Sequence, residues 1–169
     1  TYRTHDEYKG RFLSLLGSPN YVGQGQICWG INNMVSSALT GMCCNAITPR
    51  PGITKCIFLI GTNPQQAERG SWYAILNAIE SGTKLIVADP RFTDTAKRAD
   101  LWLQLRPGTD CALLMGMINV VIDEGLYDKE FVSKWCHGFD ELVKRAKEYQ
   151  LDKVANITGV PPEKIAQAA

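Results

Sequence analysis

From residue 56 onward, apolar and polar positions alternate in blocks with a regular cadence. Cys56-Ile57-Phe58-Leu59-Ile60 is a continuous apolar run, which predicts a strand covered on both faces. Lys84-Leu85-Ile86-Val87-Ala88, apolar after its lysine, predicts a second buried strand. Leu101 to Leu105, apolar but for Gln104, predicts a third strand. Between the first two, Trp72, Ile75, Leu76 and Ile79 recur at helical spacing and predict a helix over 66–80, closed by Ser81-Gly82. Thr93 to Arg98 predicts a short polar helix, and Cys111 to Glu124 a strongly apolar one. Strands alternating with helices imply a parallel sheet. The last third predicts four more helices, over 128–135, 139–149, 151–156 and 162–169, with Asp128 and Asp140 suited to N-caps. Upstream, helices are predicted over 8–16, stopped by Gly17-Ser18-Pro19-Asn20, and over 31–42. The expected fold is therefore α/β: a three-layer, Rossmann-like domain with a mainly parallel sheet and a helical C-terminal part.

Composition narrows the functions. At 169 residues, 45% hydrophobic and 21% charged, the chain suits one medium domain. Eighteen Lys and Arg against 17 Asp and Glu leave a net charge of +1, which gives no footprint for a nucleic-acid backbone. The longest apolar stretch, Ala112 to Ile122, is broken by Asn119 and is too short to span a bilayer. Thr1 in place of a starting Met points to a piece of a longer chain.

Six cysteines (Cys28, Cys43, Cys44, Cys56, Cys111, Cys136) include no C-x₂-C pair, and His5 and His137 are the only histidines. Cys56 reads as a buried strand residue, and Cys111 and Cys136 as small hydrophobes in helices. Cys28 stands apart among polar, glycine-rich neighbours (Gly23-Gln24-Gly25-Gln26) just before a predicted helix.

Ligands of parallel sheets gather at the carboxyl ends of the strands. The first strand ends in Gly61-Thr62-Asn63-Pro64-Gln65-Gln66, where Gly61 admits close approach and Asn63 offers donor and acceptor. The amides opening the following helix suit an anion. The second strand ends in Asp89-Pro90-Arg91, a carboxylate for a ribose and a guanidinium for phosphate. The third leads to Pro107-Gly108-Thr109-Asp110, where Asp110 suits the N1–H and amino group of a guanine. Any one of these is equally well an ordinary turn. Three on one edge favour a nucleotide, although the G-x-G-x-x-G fingerprint is absent and a standard nicotinamide site is disfavoured.

The run Leu85 to Arg91, with Thr95-Ala96, Ala99-Asp100-Leu101-Trp102 and Pro107-Gly108-Thr109-Asp110, resembles the molybdopterin oxidoreductases of the dimethyl sulfoxide reductase and formate dehydrogenase type. Gly61-Thr62-Asn63-Pro64, Glu124 to Phe131, Gly138-Phe139 and Ile157-Thr158-Gly159-Val160 follow the same pattern, so the resemblance covers about residues 15–169. It implies a bis-(molybdopterin guanine dinucleotide) cofactor with molybdenum or tungsten. One guanine nucleotide would lie against Gly61, Asn63, Gln66, Asp89, Pro90, Arg91, Gly108 and Asp110. Cys28 occupies the place of the family's protein ligand to the metal, and a soft thiolate suits such a centre.

In formate dehydrogenases a His typically follows the ligand; Trp29 follows here, an apolar wall with one N–H donor at the catalytic position, and this disfavours formate. A Cys ligand also disfavours the Ser-ligated reductases. It leaves the thiosulfate or polysulfide reductases, the periplasmic nitrate reductases and the acetylene hydratase group. The resemblance further implies a 4Fe-4S cluster and second-pterin domains elsewhere in a longer chain, with residues 1–27 a lead-in and 28–169 the cofactor domain. Implied partners are a small-molecule substrate, those other domains and an iron–sulfur electron-transfer subunit, in the cytoplasm or periplasm of a prokaryote. Two alternatives stand beside this reading: a non-redox hydratase of the acetylene hydratase type, and a Rossmann-like nucleotide module without metal.

Overall fold

The computed structural model describes residues 2–20, 29–41 and 48–169. The chain divides into two compact units, residues 1–47 and 48–169. In the first, helix α1 (Tyr2–Leu15) ends at Gly17, whose φ of 69° lets the Ser18 amide reach back to the Leu13 carbonyl at 3.0 Å. Helix α2 (Trp29–Thr40) follows, two residues ahead of its predicted start.

The second unit is built on three parallel strands, β1 (Cys56–Ile60), β2 (Lys84–Ala88) and β3 (Leu101–Leu103), in the order β1-β2-β3. The register pairs Ile60 with Ala88 and Ala88 with Leu103, so all three strands end level. Alternate residues serve opposite faces. Ile57, Leu59, Leu85, Val87 and Trp102 pack with Ala96 and Ile79 on one side. Phe58, Ile60, Ile86, Ala88, Leu101 and Leu103 pack on the other with Leu113, Val154 and Ile165. These last come from α5 (Asp110–Asp123), α8 (Leu151–Thr158) and α9 (Pro162–Ala168). The architecture is thus α/β with both sheet faces covered. Gly116 of α5 lies where α8 crosses: a Cβ there would stand 3.0 Å from both Val154 methyls.

Several elements differ from the expectation. The helix predicted over 66–80 is two, α3 (Pro64–Ala67) and α4 (Arg69–Glu80), broken at Glu68 with φ −141° and ψ 71°. Residues 93–98 form only a 3₁₀ turn at Ala96–Arg98. β3 stops at Leu103, where the Leu105 amide folds back onto the Leu103 carbonyl. Asp128 caps α6 (Lys129–Trp135) through the Phe131 amide as predicted, but α7 (Phe139–Ala146) is entered through Gly138 at φ 77° rather than Asp140.

The cysteines also depart from expectation: Cys56, Cys111 and Cys136 are all exposed. β1 is an edge strand among the described residues and is only half-covered, so its first residue reaches solvent. Partial desolvation, and then the Asp100 carboxylate, push the Cys56 thiol up and keep it protonated at neutral pH. Cys136 stands just past the end of α6. No described helix is long and apolar enough to cross a membrane.

Asp100 ties β2 to the segment before β3. Its carboxylate accepts from Lys84 Nζ at 2.7 Å and from the Leu85 amide at 2.9 Å. Those two bonds, Lys84 first, hold the Asp100 carboxyl below its ordinary value, and Asp100 raises Lys84 in turn. A depressed carboxyl contributes stability above its unfolded pKa and loses it as pH falls through the folded one. A raised amine contributes below its unfolded pKa and loses it as pH rises through the folded one. In the full-length protein, Asp100→Asn accordingly speeds hydrogen exchange at the Leu85 amide relative to the native chain at neutral pH. The ratio returns toward one below the carboxylate range. A ratio independent of pH would show that the charge contributes nothing.

Candidate functional site: the carboxyl edge of the sheet

The residues singled out at three separate turns meet along one edge because the strands are parallel and end level. Backbone bonds stitch the edge: the Gly61 amide donates to the Ala88 carbonyl at 3.0 Å, and the Asp89 amide to the Leu103 carbonyl at 3.2 Å. Gly61 and Gly108 are exposed with φ of 60° and 81°, and nothing lies within 4 Å of where a Cβ would stand on either. Both therefore leave backbone open to close approach.

At the end of β1, Asn63 is half-committed. Its side-chain Oδ1 accepts from Thr95 Oγ1 at 2.6 Å, and Thr95 is fully buried. The acceptor is used and the amide NH₂ remains. The amides opening α3 are fewer than expected: Pro64 has none, and Gln66 donates its own to the Asn63 carbonyl. The Gln66 side chain is exposed, whereas the neighbouring Gln65 holds a buried Oε1 with no hydrogen-bond partner. A buried acceptor left unpaired is costly, and this one is closed off from solvent.

At the end of β2, Asp89 is 5% exposed and its Oδ1 accepts from the Arg91 amide at 2.8 Å, a local Asx turn. Among the described residues Oδ2 has no partner and stays available as an acceptor. The loop is held from beneath. Trp102 Nε1 donates to the Asp89 carbonyl at 2.9 Å, and Gln104 Nε2 to the Pro90 carbonyl at 3.2 Å. Phe92 rests against Trp102 with ring centroids 4.7 Å apart. Arg91 is exposed and forms no ion pair among the described residues, free to meet phosphate.

After β3, Thr109 bonds back to the Arg106 carbonyl through Oγ1 at 2.6 Å and starts α5, with Asp110 in its first turn. Asp110 is half-buried and its carboxylate has no partner among the described residues. Thr95, Trp102, Gln104 and Gln65 were not singled out as site residues from the sequence. Thr95-Ala96 and Trp102 stood in the matching blocks, but their hydrogen-bond partners lie up to 32 residues away.

Cys28 lies outside the described residues; of Trp29, the backbone opens α2 and the side chain is not described. Among the described residues no group of three His, Cys, Asp or Glu could hold a metal. A cavity of about 560 Å³ between α6 and α7, and one of about 390 Å³ lined by α5, α8 and α9, share no residue with the strand-end loops.

Open glycines, the buried Asp89 carboxylate and an exposed guanidinium suit a nucleotide, and residues 21–161 match the family model described as molybdopterin oxidoreductase. The chain belongs to that family. Acetylene hydratase of Syntrophotalea acetylenica is 46% identical over 163 residues, covering 94% of this chain and 22% of that protein. The F420-dependent formate dehydrogenase 1 subunit alpha of Methanococcus maripaludis is 42% identical over 114 residues, covering 68% of this chain and 17% of that protein. Among solved structures, acetylene hydratase from Pelobacter acetylenicus superposes with a TM-score of 0.78 at 44% identity, over 94% of this chain and 22% of that one. The chain thus spans about a fifth of the length of these relatives.

Proposed function

We propose that this chain is the guanine-nucleotide-holding part of a molybdenum or tungsten enzyme carrying bis-(molybdopterin guanine dinucleotide), with Cys28 as protein ligand to the metal. The carrying observation is the sheet edge: two open glycines, Gly61 and Gly108, flank a buried Asp89 with one carboxylate oxygen free among the described residues. On that edge Asp89 Oδ2 and the Asn63 amide bind ribose or pterin polar groups, and Arg91 meets phosphate. Asp110 reads the guanine edge. The metal centre, when bound, supplies two-electron transfer or activation of a small substrate. A thiolate from Cys28 adds a soft donor of the kind that centre takes. The oxidoreductase form of this reading places a 4Fe-4S cluster elsewhere in the polypeptide and an electron-transfer partner beyond it. Metal and nucleotide analysis of the active full-length protein tests the proposal. About one Mo or W and two guanine nucleotides per polypeptide are expected, and active protein lacking both metals overturns it.

A second reading concerns the reaction. The similarity to acetylene hydratase runs over 94% of the chain, and Trp29 stands where formate dehydrogenases typically carry a proton-accepting His. Both favour hydration of an unsaturated bond over electron transfer. Turnover of such a substrate with no electron acceptor supports hydration, whereas strict dependence on an acceptor supports redox chemistry.

A further inference from the structure

We infer that Arg106 is the positioning residue of the nucleotide loop, pinning the β3–α5 connection to the C-terminus of α8 and so setting where Asp110 stands. This rests on the proposed guanine site. Arg106 reaches about fifty residues along the chain. Its Nη1 donates to the Asn156 carbonyl at 2.6 Å and the Ile157 carbonyl at 3.1 Å, and its backbone amide to the Thr158 carbonyl at 2.7 Å. All three acceptors belong to the last turn of α8, where carbonyls lack helical partners and the helix dipole favours a cation.

Beyond them the α8 cap, Gly159, has φ 78°, and the Arg106 side chain lies along it: a Cβ there would meet Nε, Cγ and Cζ at 3.5–3.7 Å. No carboxylate pairs with Arg106 among the described residues, so the helix end is its counter-charge. On its other side Arg106 offers its carbonyl to Thr109, at 3.2 Å to the amide and 2.6 Å to Oγ1. One residue thus holds α8 through its donors and the start of α5 through its acceptor, with Gly108 turning the loop between. Lysine keeps the charge and can donate to carbonyls, but it lacks the planar guanidinium whose Nε and Cζ lie along Gly159.

The test uses the full-length protein and reads guanine nucleotide retained per polypeptide after exhaustive buffer exchange. Arg106→Gln is expected to retain about tenfold less than the native protein, the lower end of what loss of an orienting partner costs at a bound centre. The double variant with Asp110→Asn should retain no less than the weaker single variant, since both changes act through one loop. Losses that multiply would show that Arg106 acts on the fold at large and would overturn the inference. So would an Arg106→Gln protein as fully loaded as the native one when Asp110→Asn is depleted. A native protein holding no guanine nucleotide would overturn the proposed function and this inference with it. If Arg106→Gln does not fold, Arg106→Lys carries the test: the charge stays but the packing of the guanidinium along Gly159 is lost, which predicts an intermediate loss, and native retention refutes the role.

Discussion

Cys28→Ala in the full-length protein abolishes turnover while leaving guanine nucleotide content at the native level. The two readouts separate because the proposed roles are separate. The nucleotide is held by strand-end groups, of which Asp89, Arg91 and Asp110 follow β2 and β3. Cys28 precedes α2 in the other compact unit. Removing a group that merely orients a metal ligand costs about 10- to 100-fold. Removing the ligand itself should exceed that range, leaving activity below about one per cent. Cys28→Ser is the sharper variant: a hydroxyl fills the same space with a harder donor, so it preserves loading and still loses most of the rate. Native-level activity in either variant would show that Cys28 is not the ligand. Loss of nucleotide together with activity would instead mean that Cys28 supports the fold.

The strand cadence was legible because a parallel sheet covered on both faces demands unbroken apolar runs, and 56–60 and 84–88 supply them. The same rule misled at Cys56, since sequence does not say which strand lies at an edge. The break at Glu68 was invisible: the apolar set begins only beyond it, at Trp72, and no proline stands there to mark it. For the site, glycines, Asp89 and Asp110 were readable because turn chemistry is local. Their supports were not. Thr95 holds Asn63 across 32 residues, Trp102 holds the Asp89 carbonyl across 13, and Arg106 holds Asn156 across 50. Each is a polar side chain whose partner is chosen by topology alone, and Trp102 in particular reads as core until its indole N–H is seen on the loop above it.

Asp110→Ala is expected to lower guanine occupancy while leaving the proposed ligand Cys28 in place. The carboxylate sits in the first turn of a 14-residue helix that opens directly from the loop after β3. It has no competing partner among the described residues and is half-buried, so its two oxygens are free to accept a parallel pair of N–H bonds from a guanine edge. Hydrogen bonds to a charged acceptor contribute about 1.5–3 kcal/mol, and each 1.4 kcal/mol is about tenfold in affinity. The expected loss is therefore about 10- to 150-fold in nucleotide affinity, read as guanine retained after dilution. The helix itself loses only a few tenths of a kcal/mol, so melting temperature should hardly move. Asp110→Asn discriminates the chemistry from the shape. It keeps the volume but turns one acceptor into a donor facing a donor, and so should retain no more nucleotide than Asp110→Ala. If Asp110→Asn holds guanine as well as the native protein does, Asp110 fills space at the loop and the base is read elsewhere.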